Sequence, residues 1–250
     1  MKFDVVKVQE IDIESHRRLF LAEAKFQFVY NKCHGAGWVD TYLFKDNDIP
    51  IGYGSVWGKD KREERDTICE FFLDKPFRKH ARQIFELFIK ASGAGFVECQ
   101  TNDILLAGMA FELTKNINAE AILFETAFET AFAIDDAQFV KSKNADEWNA
   151  YSIQKDGEVI ATGGFILNYN FPYIDIYYEV KEDLRRQGYG VFLMQELKKE
   201  AYRLNRVPAA RCNVNNHASK ALLLKAGMRV CGYIIMGEII NELFISPVTF

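Results

Sequence analysis

The sequence predicts a mixed α/β fold, with a mixed sheet, built twice in one chain. Three observations carry that reading. Short alternating runs of β-branched and aromatic residues are interleaved with longer segments of helical spacing. Two pairs of such runs are joined by polar tetrapeptides, Lys45 to Asp48 and Lys155 to Glu158, which signal hairpins. The order of segments then recurs. With Tyr42 set on Tyr151, an offset of 151 − 42 = 109, Asp48 falls on Gly157, Ile51 on Ile160, Gly54 on Gly163 and Glu70 on Glu179; further on, Thr101-Asn102 falls on Asn215-Asn216.

Taken in order, Phe3 to Val8 alternates and reads as a strand, and Ser15 to Tyr30 carries Leu19, Phe20, Ala22, Phe26 and Val29 at helical spacing, with Ser15 as N-cap. The first hairpin spans Asp40 to Trp57. Asp66 to Asp74 is a strand, Phe77 to Ala91 a helix with Ile84, Phe85, Phe88 and Ile89 on one side, and Gly95 to Gln100 a strand. In the second half Ala150 to Leu167 is a hairpin, Tyr173 to Val180 a strand, Tyr189 to Leu204 a helix and Ala209 to Val214 a strand. Ala121 to Ile134 stays open, since its Phe and Ile content suits a strand and its Ala and Glu content a helix. The polar segment Lys141 to Trp148 places the division between lobes 1–140 and 141–250, and no Gly/Ser-rich or Pro-rich linker separates them.

Composition narrows the function classes. Hydrophobic residues make up 49% and charged ones 26% of 250 residues, enough for a sizeable core. A net charge of −4 without a long basic run argues against nucleic acid as a partner. No run of eighteen apolar residues and no leader-like N-terminus occurs, so the expected setting is the cytoplasm, away from membranes. Cys33, Cys69, Cys99, Cys212 and Cys231 form no CxxC pair and read as small buried thiols. With four scattered histidines, they predict no metal site.

The stretch that carries chemistry is Val180 to Gly190, Val-Lys-Glu-Asp-Leu-Arg-Arg-Gln-Gly-Tyr-Gly, between a strand and a helix. A helix N-terminus presents unpaired amides and partial positive charge, so it binds anions. Gly188 and Gly190 leave the backbone open to a phosphate, and Arg185 and Arg186 add charge-assisted contacts. On spacing alone the same glycines could equally relieve a tight turn. The stretch lacks the third glycine of a dinucleotide fingerprint and the Gly-Lys-Ser/Thr of a P-loop.

With Asn215 to Met228, Asn-Asn-His-Ala-Ser-Lys-Ala-Leu-Leu-Leu-Lys-Ala-Gly-Met, downstream, the pattern Val-x4-Arg-x2-Gly-x-Gly resembles the acyl-CoA-dependent GNAT superfamily of N-acyltransferases over about residues 150 to 240. The resemblance implies a GNAT fold in tandem lobes and an acetyl-CoA-dependent N-acetyltransferase whose acceptor is a small-molecule or peptide amine, attacking the thioester directly. It implies that Arg185, Arg186, Gln187, Gly188, Tyr189 and Gly190 grip the coenzyme A pyrophosphate. Val180 and Lys181 would pair with the pantetheine amides, and Asn216 and Ser219 would contact the cofactor. Asn216 is also a natural helix N-cap.

One departure stands out. Many members carry a tyrosine four residues before the Gly-Phe as general acid, and here Leu223 precedes Gly227-Met228 by that spacing. Tyr177, Tyr178 or Cys231 would have to serve, with Tyr178 as the candidate. Leu223 also keeps a second reading alive, a non-catalytic acyl-CoA-binding module. For the base, alternation along Tyr173 to Val180 groups Asp175, Tyr177 and Glu179 on one face, making Glu179 and Asp175 the candidates, with a charged pair facing solvent or an arginine as the alternative. In the first half the matching loop, Phe77 to Arg82, has no glycine, which predicts no working coenzyme site there. That lobe is expected to shape the acceptor pocket or stabilise the other, with Tyr53, Trp57, Phe71 and Phe72 as pocket or core residues.

Overall fold

A computed structural model of the chain describes residues 1–23, 31–142, 150–166 and 171–240. The chain divides into two units, Met1–Glu120 with Tyr233–Phe250, and Ala121–Gly232. The sequence placed one division at 140/141; contacts part the chain at 120/121 and again at 232/233. Two long strands, β6 (Thr114–Thr126) and β12 (Met228–Ile239), run through those points without a break, so no composition change marks them.

The first unit holds β1 (Phe3–Val8), α1 (Glu10–Glu23), α2 (Asn31–Gly35), β2 (Asp40–Asp46), β3 (Ile49–Trp57), β4 (Thr67–Leu73), α3 (Ala81–Ser92), β5 (Phe96–Gln100) and α4 (Ile104–Leu113). Its strand order is β1-β2-β3-β4-β5-β12-β6. Asn47 and Asp48, at φ 45° and 70°, make the tight turn expected between β2 and β3. The helix predicted from Ser15 begins at Glu10 instead. Asp12 accepts the Gln9 N–H and closes the first turn, leaving Ser15 in the interior; the predicted continuation to Tyr30 lies outside the described residues. The helix α4 was not foreseen, because its run Ile-Leu-Leu-Ala-Gly-Met-Ala-Phe-Glu-Leu has little polar face; Asp103, which caps it, is its one sequence signal.

Beneath α1 and α2 lies a charged cluster. The Glu70 carboxylate, 1% exposed, accepts from Arg17 at 3.1 Å and Ser55 at 3.1 Å, and its other close partner is His34 Nε2 at 2.9 Å. Burial alone would push the carboxyl up, but the Arg17 guanidinium and the His34 ring outweigh it and hold it well below the usual carboxylate range. One side chain thereby ties both helices to β3 and β4.

The second unit holds β7 (Gln138–Lys141), β8 (Ala150–Lys155), β9 (Glu158–Ile166), β10 (Tyr173–Val180), α5 (Tyr189–Arg203), β11 (Val207–Asn213) and α6 (His217–Lys225), in the order β7-β8-β9-β10-β11-β6-β12. Ala121 to Ile134, left open by the sequence, is strand to Thr126 and then an irregular connector. Most of the polar segment Lys141 to Trp148 lies outside the described residues.

The internal repeat is physical. Tyr42 pairs with Gly54 and Tyr151 with Gly163, and a Cβ on either glycine would strike the covering helix, at Phe88 in one unit and Leu197 in the other. Two matches need correction, however. Gly54 pairs onward with Phe71, and Gly163 with Tyr178, so 178 − 71 gives an offset of 107 in this strand. Glu70 therefore corresponds to Tyr177, and Glu179 to Phe72. Part of the slip is Cys69, bulged between Ile68 and Glu70 and without a counterpart in β10. Likewise the N-caps are Asp103 and Asn216, so Thr101-Asn102 falls one residue short of Asn215-Asn216.

Replacing Glu70 by alanine leaves the Arg17 guanidinium without its anion, and the expected loss is about 3–5 kcal/mol of stability in chemical denaturation. A loss below 1 kcal/mol would show that the cluster does not hold the first unit together.

Candidate functional site

In the second unit β10 and β11 run parallel and pair only at Tyr173–Val207, Ile174–Pro208 and Asp175–Ala209. Beyond Asp175 pairing stops, leaving a cleft between the two strand edges. Backbone groups alternate sides along a strand. The Lys181 N–H donates to the Ile160 carbonyl on β9, so Tyr178 and Val180 turn their amides towards the cleft. Lys181 is thus engaged by the sheet, and the Val180 carbonyl already accepts from Arg185 Nε at 3.2 Å. Of the two residues the resemblance assigned to the pantetheine, Val180 keeps its N–H, and Tyr178 joins it.

At the cleft mouth the chain passes through a short 3-10 turn, Glu182–Leu184, into the loop before α5. Arg186 at φ 66° and Gly188 at φ 96° are both left-handed, which turns successive amides to one side. Among the described residues no backbone acceptor is bonded to the amides of Arg186 to Val191, and the first turn of a helix supplies none. Arg185, Arg186 and Gln187 are exposed, whereas the Tyr189 side chain is buried and leaves only its backbone to the cradle. Gly190 differs from its expected part: a Cβ there would meet Leu222 Cδ1 at 2.4 Å and Val180 Cγ2 at 3.3 Å, so its smallness lets α6 approach.

The cleft walls are polar at two points. Tyr178 Oη is hydrogen-bonded to Ser219 Oγ on α6, and burial pushes the phenol up while the serine contact acts against it. The Asn216 side chain accepts the Ser219 N–H at 3.0 Å, which makes it the α6 cap. On the opposite face, at the apex where the strands separate, Asp175 is 3% exposed. Its Oδ2 lies 3.8 Å from Arg211 Nε, and Oδ1 meets no partner among the described residues. Burial pushes this carboxyl up to about 7, against the pull of Arg211. Glu179 and Tyr177 are exposed, near the mouth. From Asp175 to Glu179 is four residues, about 13 Å at 3.3 Å per residue. Asp175 and Glu179 therefore stand at opposite ends of the cleft.

The first unit repeats the geometry and fills it. There β4 and β5 pair only at Thr67–Phe96 and Ile68–Val97. Phe71 and Leu106, at the places of Tyr178 and Ser219, belong to one buried apolar cluster. His80 caps α3 at φ −106° where Gly188 stands, and Lys75–His80 is wound into a 3-10 turn. Tyr53, Trp57, Phe71 and Phe72 are all buried. Among the described residues no three His, Cys, Asp or Glu side chains gather as a metal site, and no helix is long and apolar enough to cross a membrane.

An acetyltransferase (GNAT) family model matches residues 116–228, and an acetyltransferase (GNAT) domain model matches 37–127. Among solved structures, a GNAT-family acetyltransferase from Colwellia psychrerythraea has TM-score 0.77 at 13% identity, covering 96% of this chain and 100% of that one. A tandem GNAT protein from the clavulanic acid biosynthesis pathway has TM-score 0.63 at 10% identity, covering 95% and 98%. A GCN5-related N-acetyltransferase from Sphaerobacter thermophilus has 0.62 at 11%, covering 94% and 95%. At such identities these likenesses show the fold alone. No curated protein matches the sequence.

Asp175 makes stability depend on pH. Its folded pKa of about 7 lies above the ordinary 3.8, so its contribution is full below pH 4 and lost as pH rises through 7. The rise from 3.8 to about 7 corresponds to about 4 kcal/mol. Asp175→Asn is expected to be more stable than the parent at pH 8 and to lose that advantage at pH 4, read by thermal melting at both. An equal difference at both pH values would show that Asp175 is not buried as an acid.

Proposed function

The chain belongs to the GNAT acetyltransferase family, a family of acyl-transferring enzymes, and on that basis we propose that its second unit moves an acetyl group from acetyl-CoA to a primary amine of a small molecule or peptide by direct attack. The observation that supports this most is the contrast between the units: in one, strand edges that part towards a left-handed loop at a helix N-terminus with the polar pair Tyr178 and Ser219 between them, and in the other Phe71 and Leu106 in a buried apolar cluster at the same places.

The residues fit coenzyme A. Amides of Arg186 to Gly190 and the Arg186 guanidinium would hold the pyrophosphate, and the Tyr178 and Val180 edge of β10 the pantetheine. When bound, the coenzyme supplies the acyl group as a thioester, whose C–S bond breaks as the new C–N bond forms. Asp175, at the apex, takes the proton from the attacking amine; its raised carboxyl is suited to a base working near neutral pH. Glu179 stands too near the phosphate end for that part. Tyr178, kept protonated by burial, gives its proton to the departing thiolate. It thus replaces the tyrosine missing at Leu223, from the strand side of the cleft and one helical turn away at Ser219.

The buried Leu223 favours a second reading, a module that holds acyl-CoA without turning it over. Thioester consumption with a panel of primary amines separates the two. The expected result is turnover whose kcat/KM rises with pH through about 7, with Asp175→Asn lowering kcat by about 10²–10⁴ and Arg186→Glu raising the KM for acetyl-CoA. Tight binding of acetyl-CoA with no turnover would establish the module, and an unimpaired Asp175→Asn would remove Asp175 from the mechanism.

A further inference from the structure

The coenzyme loop leans on a part of the chain that its motif does not contain. After β6 the connector Ala127 to Ile134 runs back towards the start of α5, with Thr130, Phe132 and Ile134 half-buried and the residues between them exposed. It is anchored at two places by buried polar side chains of α5. Lys198, 4% exposed, donates to the carbonyls of Phe128 at 2.7 Å and Ala226 at 2.8 Å, while the Ala127 and Phe128 amides donate to the Gly227 carbonyl. Three helical positions before it, Gln195, also 4% exposed, takes both backbone groups of Phe132: its Oε1 accepts the Phe132 N–H at 2.7 Å and its Nε2 donates to the Phe132 carbonyl at 2.9 Å.

That clamp sets the Phe132 ring on Gly188. A Cβ at 188 would lie 2.7 Å from Phe132 Cζ and 2.9 Å from Cε1, so ring and glycine Cα are in close contact. The Lys225 ammonium lies over the ring, 5.5 Å from its centroid. Glycine at φ 96° populates the opposite sign of φ about as readily, so by itself it does not keep the amides of 186–190 turned to one side. A bulky ring packed on its Cα does.

We propose that Phe132, fixed by Gln195, is a positioning residue that holds the coenzyme loop in its anion-binding conformation; this rests on the reading of that loop as the coenzyme A site. It touches neither pyrophosphate nor thioester. Without it the loop would have to be ordered on binding, at the cost of about one residue's backbone freedom, which is about tenfold in affinity.

The test measures coenzyme A binding by calorimetry for the full chain, Phe132→Ala, Phe132→Leu and Gln195→Leu, each checked for folding by its thermal transition. The expected result is a Kd about tenfold higher for Phe132→Ala and Gln195→Leu, largely recovered in Phe132→Leu. Turnover gives the readout that general damage would not move. The ratio of kcat/KM for acetyl-CoA to that for acetylpantetheine, which lacks the pyrophosphate, falls about tenfold in Phe132→Ala. A parent that binds coenzyme A and a folded Phe132→Ala that binds it equally well would overturn the proposal and leave the coenzyme site standing. A parent that does not bind coenzyme A would overturn both.

Discussion

The point at which β10 and β11 stop pairing governs the second unit. Three parallel pairs hold the strands together up to Asp175 and Ala209, and from there each strand edge has backbone donors and acceptors without a partner strand. Unpaired backbone inside a fold is costly, so such a gap persists only where something else meets those groups. In this unit the candidates converge: the Tyr178 and Val180 edge along one side, the α6 N-terminus at Ser219 along the other, and the α5 N-terminus across the mouth. In the first unit the strands part in the same way, and Phe71, Leu106 and their neighbours close the space. The two halves share a scaffold and differ in whether the gap was filled.

Much of this was legible in the sequence because local chemistry decides it. The hairpins follow from Asn47-Asp48 and Asp156-Gly157, residues that tolerate positive φ. Gly188 follows from the same requirement. Asn216 was read both as a cofactor contact and as a cap, and its side chain is seen capping α6. What was not legible depends on register and on distant partners. Glu70 and Glu179 look equivalent at the offset of 109, yet the strands slip by two residues, one of them the bulge at Cys69, and only cross-strand pairing reveals it. The alternation that grouped Asp175 with Glu179 holds, but no pattern tells that one lies at a buried apex and the other at an exposed mouth. The connector's hold on Gly188 runs through Gln195 and Lys198, sixty and more residues away along the chain.

In the proposed mechanism, function and stability oppose each other at Asp175. A carboxyl buried with one oxygen unpartnered and an arginine at 3.8 Å weakens the fold as it ionises. The ionised form is the one that can accept a proton from an amine. Sites that carry such a disadvantage commonly do chemistry. Glu70 in the first unit is the counter-example: equally buried, but fully matched by Arg17, His34 and Ser55, it stabilises and has no group left to offer a substrate.

The central claim is that one unit of a duplicated fold holds coenzyme A, through the amides before α5. Amide hydrogen exchange with and without coenzyme A tests it most directly, because it reads both loops in a single experiment. The account predicts added protection at Arg186 to Gly190 and along Tyr178 to Val180, with none at Lys75 to Arg82. Protection at Lys75 to Arg82, or none at Arg186 to Gly190 with coenzyme A in saturating excess, would contradict it.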